Sequence, residues 1–285
     1  MSNVLLPAEI AEVTVESSVK KVNMKWWKQF VLGIMAGLFI ALAGNASSIV
    51  AYGASSVGMG KMLSGALFGT GLIMVLLSGA ELFTGNCMIF MAVMEGKTRT
   101  SAMLKNWFIV YLGNMVGGIG YTFLMGQTTQ MSMDGGELGA YAINVAFAKS
   151  NLDFKTAFIM GIFCNILVCI AIWVSYASKD VAGKIIALFF PIWIFVVSGY
   201  EHCVANMYFI PMGIFASNND KYVEAANRIY GLTSSDIATI NWKNFFTVNL
   251  VPVTLGNIFG GVVCFSLIYW GVYLRKKEKT EKTTN

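Results

Sequence analysis

The sequence predicts an all-α integral membrane protein in which six transmembrane helices form two inverted three-helix repeats, with the second and fifth helices broken. Three observations predict this class. The 285 residues are 56% hydrophobic and only 12% charged, with mean hydropathy +0.64, whereas about a quarter of an ordinary soluble domain is charged. Six apolar stretches are long enough to cross a hydrocarbon core, which takes about 20 helical residues. Two of them carry matching polar motifs, Ser78-Gly79-Ala80-Glu81-Leu82-Phe83-Thr84-Gly85-Asn86 and Ser198-Gly199-Tyr200-Glu201-His202-Cys203-Val204-Ala205-Asn206, with Ser, Gly, Glu and Asn repeated 120 positions apart.

The chain reads as one domain, 1–285. Its opening segment, 1–24, carries Glu9, Glu12 and Glu16 and lacks the basic start and cleavage site of a secretory signal. It is expected to be a cytoplasmic amphipathic helix opened by Leu5-Leu6-Pro7-Ala8-Glu9. Spans follow at 27–52, 62–94, 105–125, 155–177, 184–216 and 241–274. The second and fifth run roughly 33 residues, about 50 Å of continuous helix against a core of about 30 Å. Each is therefore expected to break at the repeated motif, where Gly79, Gly85 and Gly199 weaken the helix and polar side chains offer partners to freed backbone groups.

A first repeat over 25–126 and a second over 155–274 account for the duplication. Lys105-Asn106-Trp107-Phe108 is echoed by Lys243-Asn244-Phe245-Phe246 at an offset of 138, and Leu112-Gly113-Asn114 by Leu255-Gly256-Asn257 at 143, which implies an insertion near Val251-Pro252. Three spans per unit make the second copy enter the membrane upside down. Lys20, Lys21, Lys25 and Lys28 precede the first span, Lys97, Arg99 and Lys105 surround the second connection, Lys179 and Lys184 mark the fourth, and Arg275, Lys276, Lys277 and Lys279 follow the last. Both termini, including the tail 275–285, are then cytoplasmic. The connection 126–154 is external, as is 218–240, where 222–230 suits a short surface helix.

The net charge of +5 comes mostly from the chain ends, so it speaks to orientation in the lipid bilayer and not to nucleic acid. None of the five cysteines has CxxC or zinc-site spacing. No metal or other cofactor is implied, and no HExxH motif or catalytic acid pair supports an enzyme. A matched pair of polar breaks instead marks a transport site at the repeat interface.

His202, the sole histidine, titrates near neutral pH in its ordinary state. It reads as the central polar group, against the alternative of a satisfied interhelical histidine. Thr84 can hold an anion or orient His202, or bond back to its own helix. Glu81 and Glu201 read as scaffold accepting bonds from Asn86 and Asn206, with proton relay as the alternative. Asn165 is polar in mid-span and either lines the pore, bonds His202 or glues helices. Phe68, Leu72, Leu82 and Phe195 flank the breaks, as core or as rings that exclude water. Lys149 and Lys155 stand at the external mouth, as solvated lysines or as anion attractors. A neutral-solute pore of the water or glycerol type is the alternative function.

These motifs, with Gly199-Tyr200-Glu201-His202-Cys203-Val204-Ala205-Asn206-Met207, Ile210-Pro211-Met212-Gly213 and Leu255-Gly256-Asn257-Ile258, resemble the formate/nitrite transporter family of bacterial inner-membrane anion channels along essentially the whole chain. The resemblance implies an aquaporin-like fold, a homopentamer with one pore per protomer, and transport of small monovalent anions together with protons. It implies a central site of His202 and Thr84 with Asn165 and Val168 nearby, two constrictions built from Leu72, Leu82, Phe68 and Phe195, and an entrance role for Lys149. Glu81 stands where the formate branch usually has Asp, and Cys203 and Val204 depart from the residues usual after the histidine, so formate, nitrite and hydrosulfide are all candidate substrates. The expected mechanism has Lys149 and half-helix N-termini attract the anion. His202 then protonates it, since a neutral acid crosses an apolar constriction without the anion's desolvation cost.

Overall fold

A computed structural model describes residues 4–275, and Lys276, Lys277 and Lys279 lie outside the described residues. Among those residues the fold is helical throughout, apart from one isolated bridge between Val4 and Ser178. Helix α1, Pro7–Asn23, starts where a proline costs no hydrogen bond, and the Leu6 N–H donates to Glu9 at 2.6 Å. Helix α2 spans Trp26–Tyr52, α3 Val57–Ser78, α4 Phe83–Met94 and α5 Thr100–Gly126. Helix α6, Glu137–Ser150, follows a 3₁₀ turn and fills the connection left unassigned from sequence. The second half continues with α7, Phe154–Ala177, α8, Val181–Ser198, and α9, Cys203–Ala216. Two short helices, α10, Asp220–Tyr230, and α11, Ser234–Ala238, lead to α12, Trp242–Tyr273.

Six of these helices, α2, α3, α5, α7, α8 and α12, are long and apolar enough to cross a membrane, while α4 and α9 are shorter apolar helices. The long second and fifth stretches are therefore each a long helix, a four-residue break and a half-helix. Both breaks open on a glycine in the left-handed region, Gly79 at φ 75° and Gly199 at φ 73°, where a Cβ would be strained.

The two halves pack alike. Helix α2 lies against α3 and α5, as α7 lies against α8 and α12, and α3 meets α8 where the halves join. Close approach needs small residues: a Cβ on Gly113 would meet the Phe30 carbonyl, and one on Gly256 the Phe158 carbonyl. Helix α1 packs on α4 as α6 packs on α9, so the correspondence reaches beyond the membrane spans.

One sequence expectation changes. Asn106 donates to Gln29 and accepts from Asn86 at 2.9 Å, and its counterpart is Asn249, which accepts from Asn206 at 2.7 Å. Asn244 instead donates to the Thr239 carbonyl. The register between α5 and α12 is thus 143 throughout, as for Asn114 and Asn257, and the echo at 138 is coincidental. Helix α12 carries π-helical turns at Phe245–Leu250 and Gly260–Leu267.

Candidate functional site

Both breaks are built from the same bonds. The Glu81 N–H donates to the Leu32 carbonyl at 3.2 Å and that of Glu201 to Met160 at 3.4 Å. The Asn114 side chain accepts from Phe83 N–H at 3.0 Å and donates to the carbonyls of Gly33 and Glu81. Asn257 does the same for Cys203, Gly161 and Glu201. Each asparagine thus ties a broken helix to two neighbours and satisfies backbone groups that hydrocarbon would leave unpaired.

The carboxylates are held in matching fashion. Lys21 of α1 donates to Glu81 at 2.8 Å and Lys149 of α6 to Glu201 at 2.6 Å. Asn86 donates to Glu81 at 2.7 Å, and Asn206 to Glu201 at 2.6 Å. Lys21 also reaches the Asn86 carbonyl oxygen at 2.9 Å, whereas the corresponding oxygen of Asn206 is buried without a hydrogen-bond partner among the described residues. From sequence Lys21 reads only as an orienting charge, Asn106, Asn114 and Asn257 only as members of repeated motifs, and Asn249 carries no signal, so the part all five play at the breaks emerges only in the structure. A signal existed for the first: Lys21 and Lys149 each precede a glycine of the repeat, Gly33 and Gly161, by twelve positions.

Between the breaks, Thr84 Oγ1 and His202 Nε2 lie 3.1 Å apart, both buried. His202 is the N-cap of α9: its Nδ1 accepts from the backbone N–H of Val204 and of Ala205, each at 3.1 Å. A nitrogen that accepts carries no proton, so the neutral ring holds its hydrogen on Nε2, facing Thr84.

Apolar side chains enclose the pair. The Phe195 ring lies 6.0 Å from the His202 ring and meets Phe68 edge to face at 5.5 Å, with Phe68 stacked on Phe209 at 6.3 Å. On the α6 side, Phe68, Phe195 and His202 close the floor of a vestibule of about 510 Å³ whose walls include Lys61 and Lys149. On the α1 side a second vestibule of about 300 Å³ is lined by Lys20, Lys21, Gly79 and Lys184. Leu72 and Leu82 line a small cavity of about 30 Å³, shared with Ser18 and Lys21 of α1. Asn165 and Val168 are buried on α7, and Asn165 donates to the Asn257 carbonyl at 2.7 Å, so it ties α7 to α12 and makes no bond to His202. Lys149 borders the vestibule but is paired with Glu201 and lies 5.5 Å from the centre of the Phe209 ring. Among the described residues no cluster of His, Cys, Asp or Glu could hold a metal ion.

Two polar breaks thus meet at a hydroxyl and an imidazole, with apolar rings and lysine-bearing vestibules beyond. Residues 8–271 match the family model described as formate/nitrite transporter. The formate channel FocA of Haemophilus influenzae is 37% identical over 278 residues, covering 97% of this chain and 95% of that protein. FocA of Escherichia coli K12 is 36% identical over 282 residues, covering 97% of each chain. A solved pentameric formate channel with formate bound superposes with TM-score 0.78 at 37% identity, covering 88% of this chain and 98% of that one.

Proposed function

The chain belongs to the formate/nitrite transporter family, and from that premise we propose that this anion channel conducts formate, with one pore per protomer of a homopentamer in a bacterial inner membrane. Each repeat is proposed to comprise a lysine-bearing helix followed by three spans: α1 with 25–126, and α6 with 155–274. Both termini are cytoplasmic in this arrangement, so the α1-side vestibule faces the cytoplasm and the α6-side vestibule faces outward. The basic residues at the chain ends support that orientation.

The contact that carries the reading is Thr84 with His202 at 3.1 Å. An anion between apolar rings loses hydration and needs donors in its place. The imidazole Nε2–H and the Thr84 hydroxyl supply two, converging from opposite halves. Full transfer of the Nε2 proton would leave an imidazolate, unless Nδ1 first took a proton against the two backbone N–H groups already aimed at it. The geometry therefore supports a hydrogen-bond donor at His202, which narrows the expectation of outright protonation. Formate is favoured over nitrite and hydrosulfide because the relatives compared are named formate channels.

Purified protein in liposomes tests this. Formate flux is expected with glycerol excluded, and His202→Asn, which keeps a donor, is expected to retain more formate flux than His202→Ala. Glycerol passing as readily as formate would replace the reading with a neutral-solute pore.

A further inference from the structure

The lysines that sequence and symmetry bring forward, Lys21 and Lys149, are each bonded to a buried carboxylate, so each pair contributes little net charge to its vestibule. The vestibule walls carry other lysines. Lys61, on the first turns of α3, lines the α6-side vestibule, and a Cβ at Gly199 would lie 3.5 Å from its Nζ. Lys184, on α8, lines the α1-side vestibule together with Gly79. Each vestibule thus holds a lysine from one half and the break glycine of the other, with Lys61 in close reach of Gly199 and Lys184 sharing only the cavity wall with Gly79. Among the described residues neither Lys61 nor Lys184 makes an ion pair. Asp134, which accepts from Tyr52 at the rim, is not among the lining residues of the α6-side vestibule.

Resting on the proposed anion path, we propose that Lys61 and Lys184 are the recruiting charges of the two vestibules, each raising the local anion concentration on its own side, while Lys21 and Lys149 serve the scaffold. An unpaired cation in a funnel with low-dielectric walls concentrates anions, and salt screens it over a Debye length of about 10 Å at 0.1 M. Such a charge acts on anions arriving from its side, so the two lysines govern opposite directions of current. Lys20 also lines the α1-side vestibule, which makes Lys184 the less exclusive of the two.

The test is formate current in excised membrane patches, where the orientation of the protein is fixed. At low ionic strength Lys61→Gln is expected to lower current carried by formate entering from the α6 side by about two-fold or more, leaving the opposite direction nearly unchanged. Lys184→Gln is expected to shift rectification the other way by a smaller factor. Lys61→Arg should restore the wild-type ratio, and near 1 M salt all variants should converge. Variants that rectify like wild type at low salt, or a Lys61→Gln effect that persists at high salt, would overturn the recruiting role. A wild-type channel that carries no formate current would instead overturn the formate reading on which the proposal rests.

Discussion

The break from Gly79 to Leu82 and the break from Gly199 to His202 share nearly every backbone and scaffold contact, yet their fourth residues differ in kind. Leu82 is the N-cap of α4 and offers no side-chain bond to it, whereas His202 caps α9 through Nδ1. Two positions on, Thr84 answers to Val204. The repeated Gly, Glu and Asn build the frame of both breaks, and Leu82, Thr84 and His202 are the side chains that differ upon it. A symmetric frame brings those unlike residues face to face, because the inverted halves meet at the ends of their half-helices.

The largest expected effect breaks that frame unequally. Glu201→Ala leaves Lys149 without a carboxylate, whereas Glu81→Ala leaves Lys21 its bond to Asn86. Removing one partner of a buried pair costs about 3–5 kcal/mol, and thermal denaturation in detergent should place Glu201→Ala at the upper end and Glu81→Ala at the lower. The reverse order would mean that the bond from Lys21 to Asn86 does not compensate for the lost carboxylate.

A somewhat smaller effect sharpens the symmetry itself. Asn114→Ala and Asn257→Ala each remove three hydrogen bonds, about 1 kcal/mol apiece. Their destabilisation should be alike, since each loses the same three kinds of bond, and thermal denaturation of the two variants compares them.

His202→Ala should cost only about 1 kcal/mol, the usual value of a lost N-cap, while formate flux falls far more than stability does. A variant that melts early but conducts normally would assign His202 to the frame.

The smallest effect lies where the first half has no counterpart. In the loop before α12, the hydroxyl and backbone N–H of Thr233 bond Asp236 and hold its carboxyl below the usual carboxylate range. A depressed carboxyl stabilises the fold above its unfolded pKa of about 3.9, and that contribution fades as pH falls through the lower folded value. Hydrogen exchange should therefore show Asp236→Asn loosening α11 at pH 7, with the difference from wild type gone in strong acid. Formate flux is expected to stay unchanged.

Much of this frame was legible in the chain. Glycine and glutamate in an apolar run announce themselves by their cost, and their recurrence placed both breaks between the helices where they occur. Helix α6 escaped notice because its residues, from Glu137 to Ser150, are neither apolar enough for a span nor polar enough for a plain loop. The equivalence of α1 and α6 was hidden because it rests on one lysine per helix, and lysines are read first as charges that orient the chain. The echo of Lys105-Asn106 in Lys243-Asn244 misled because local similarity says nothing of register, which Asn249 sets by reaching Asn206. Thr84 and His202 were legible as oddities within a repeat, but the nitrogen that faces the threonine emerged only with the cap geometry.

The most direct test of the central claim is a double-mutant cycle on formate flux in liposomes, with Thr84→Val, His202→Ala and both together. If the two side chains act on the anion as one site, the double variant loses little more than the worse single variant, since residues in contact are coupled. Losses that simply multiply would contradict the account, placing threonine and histidine at separate points of the path.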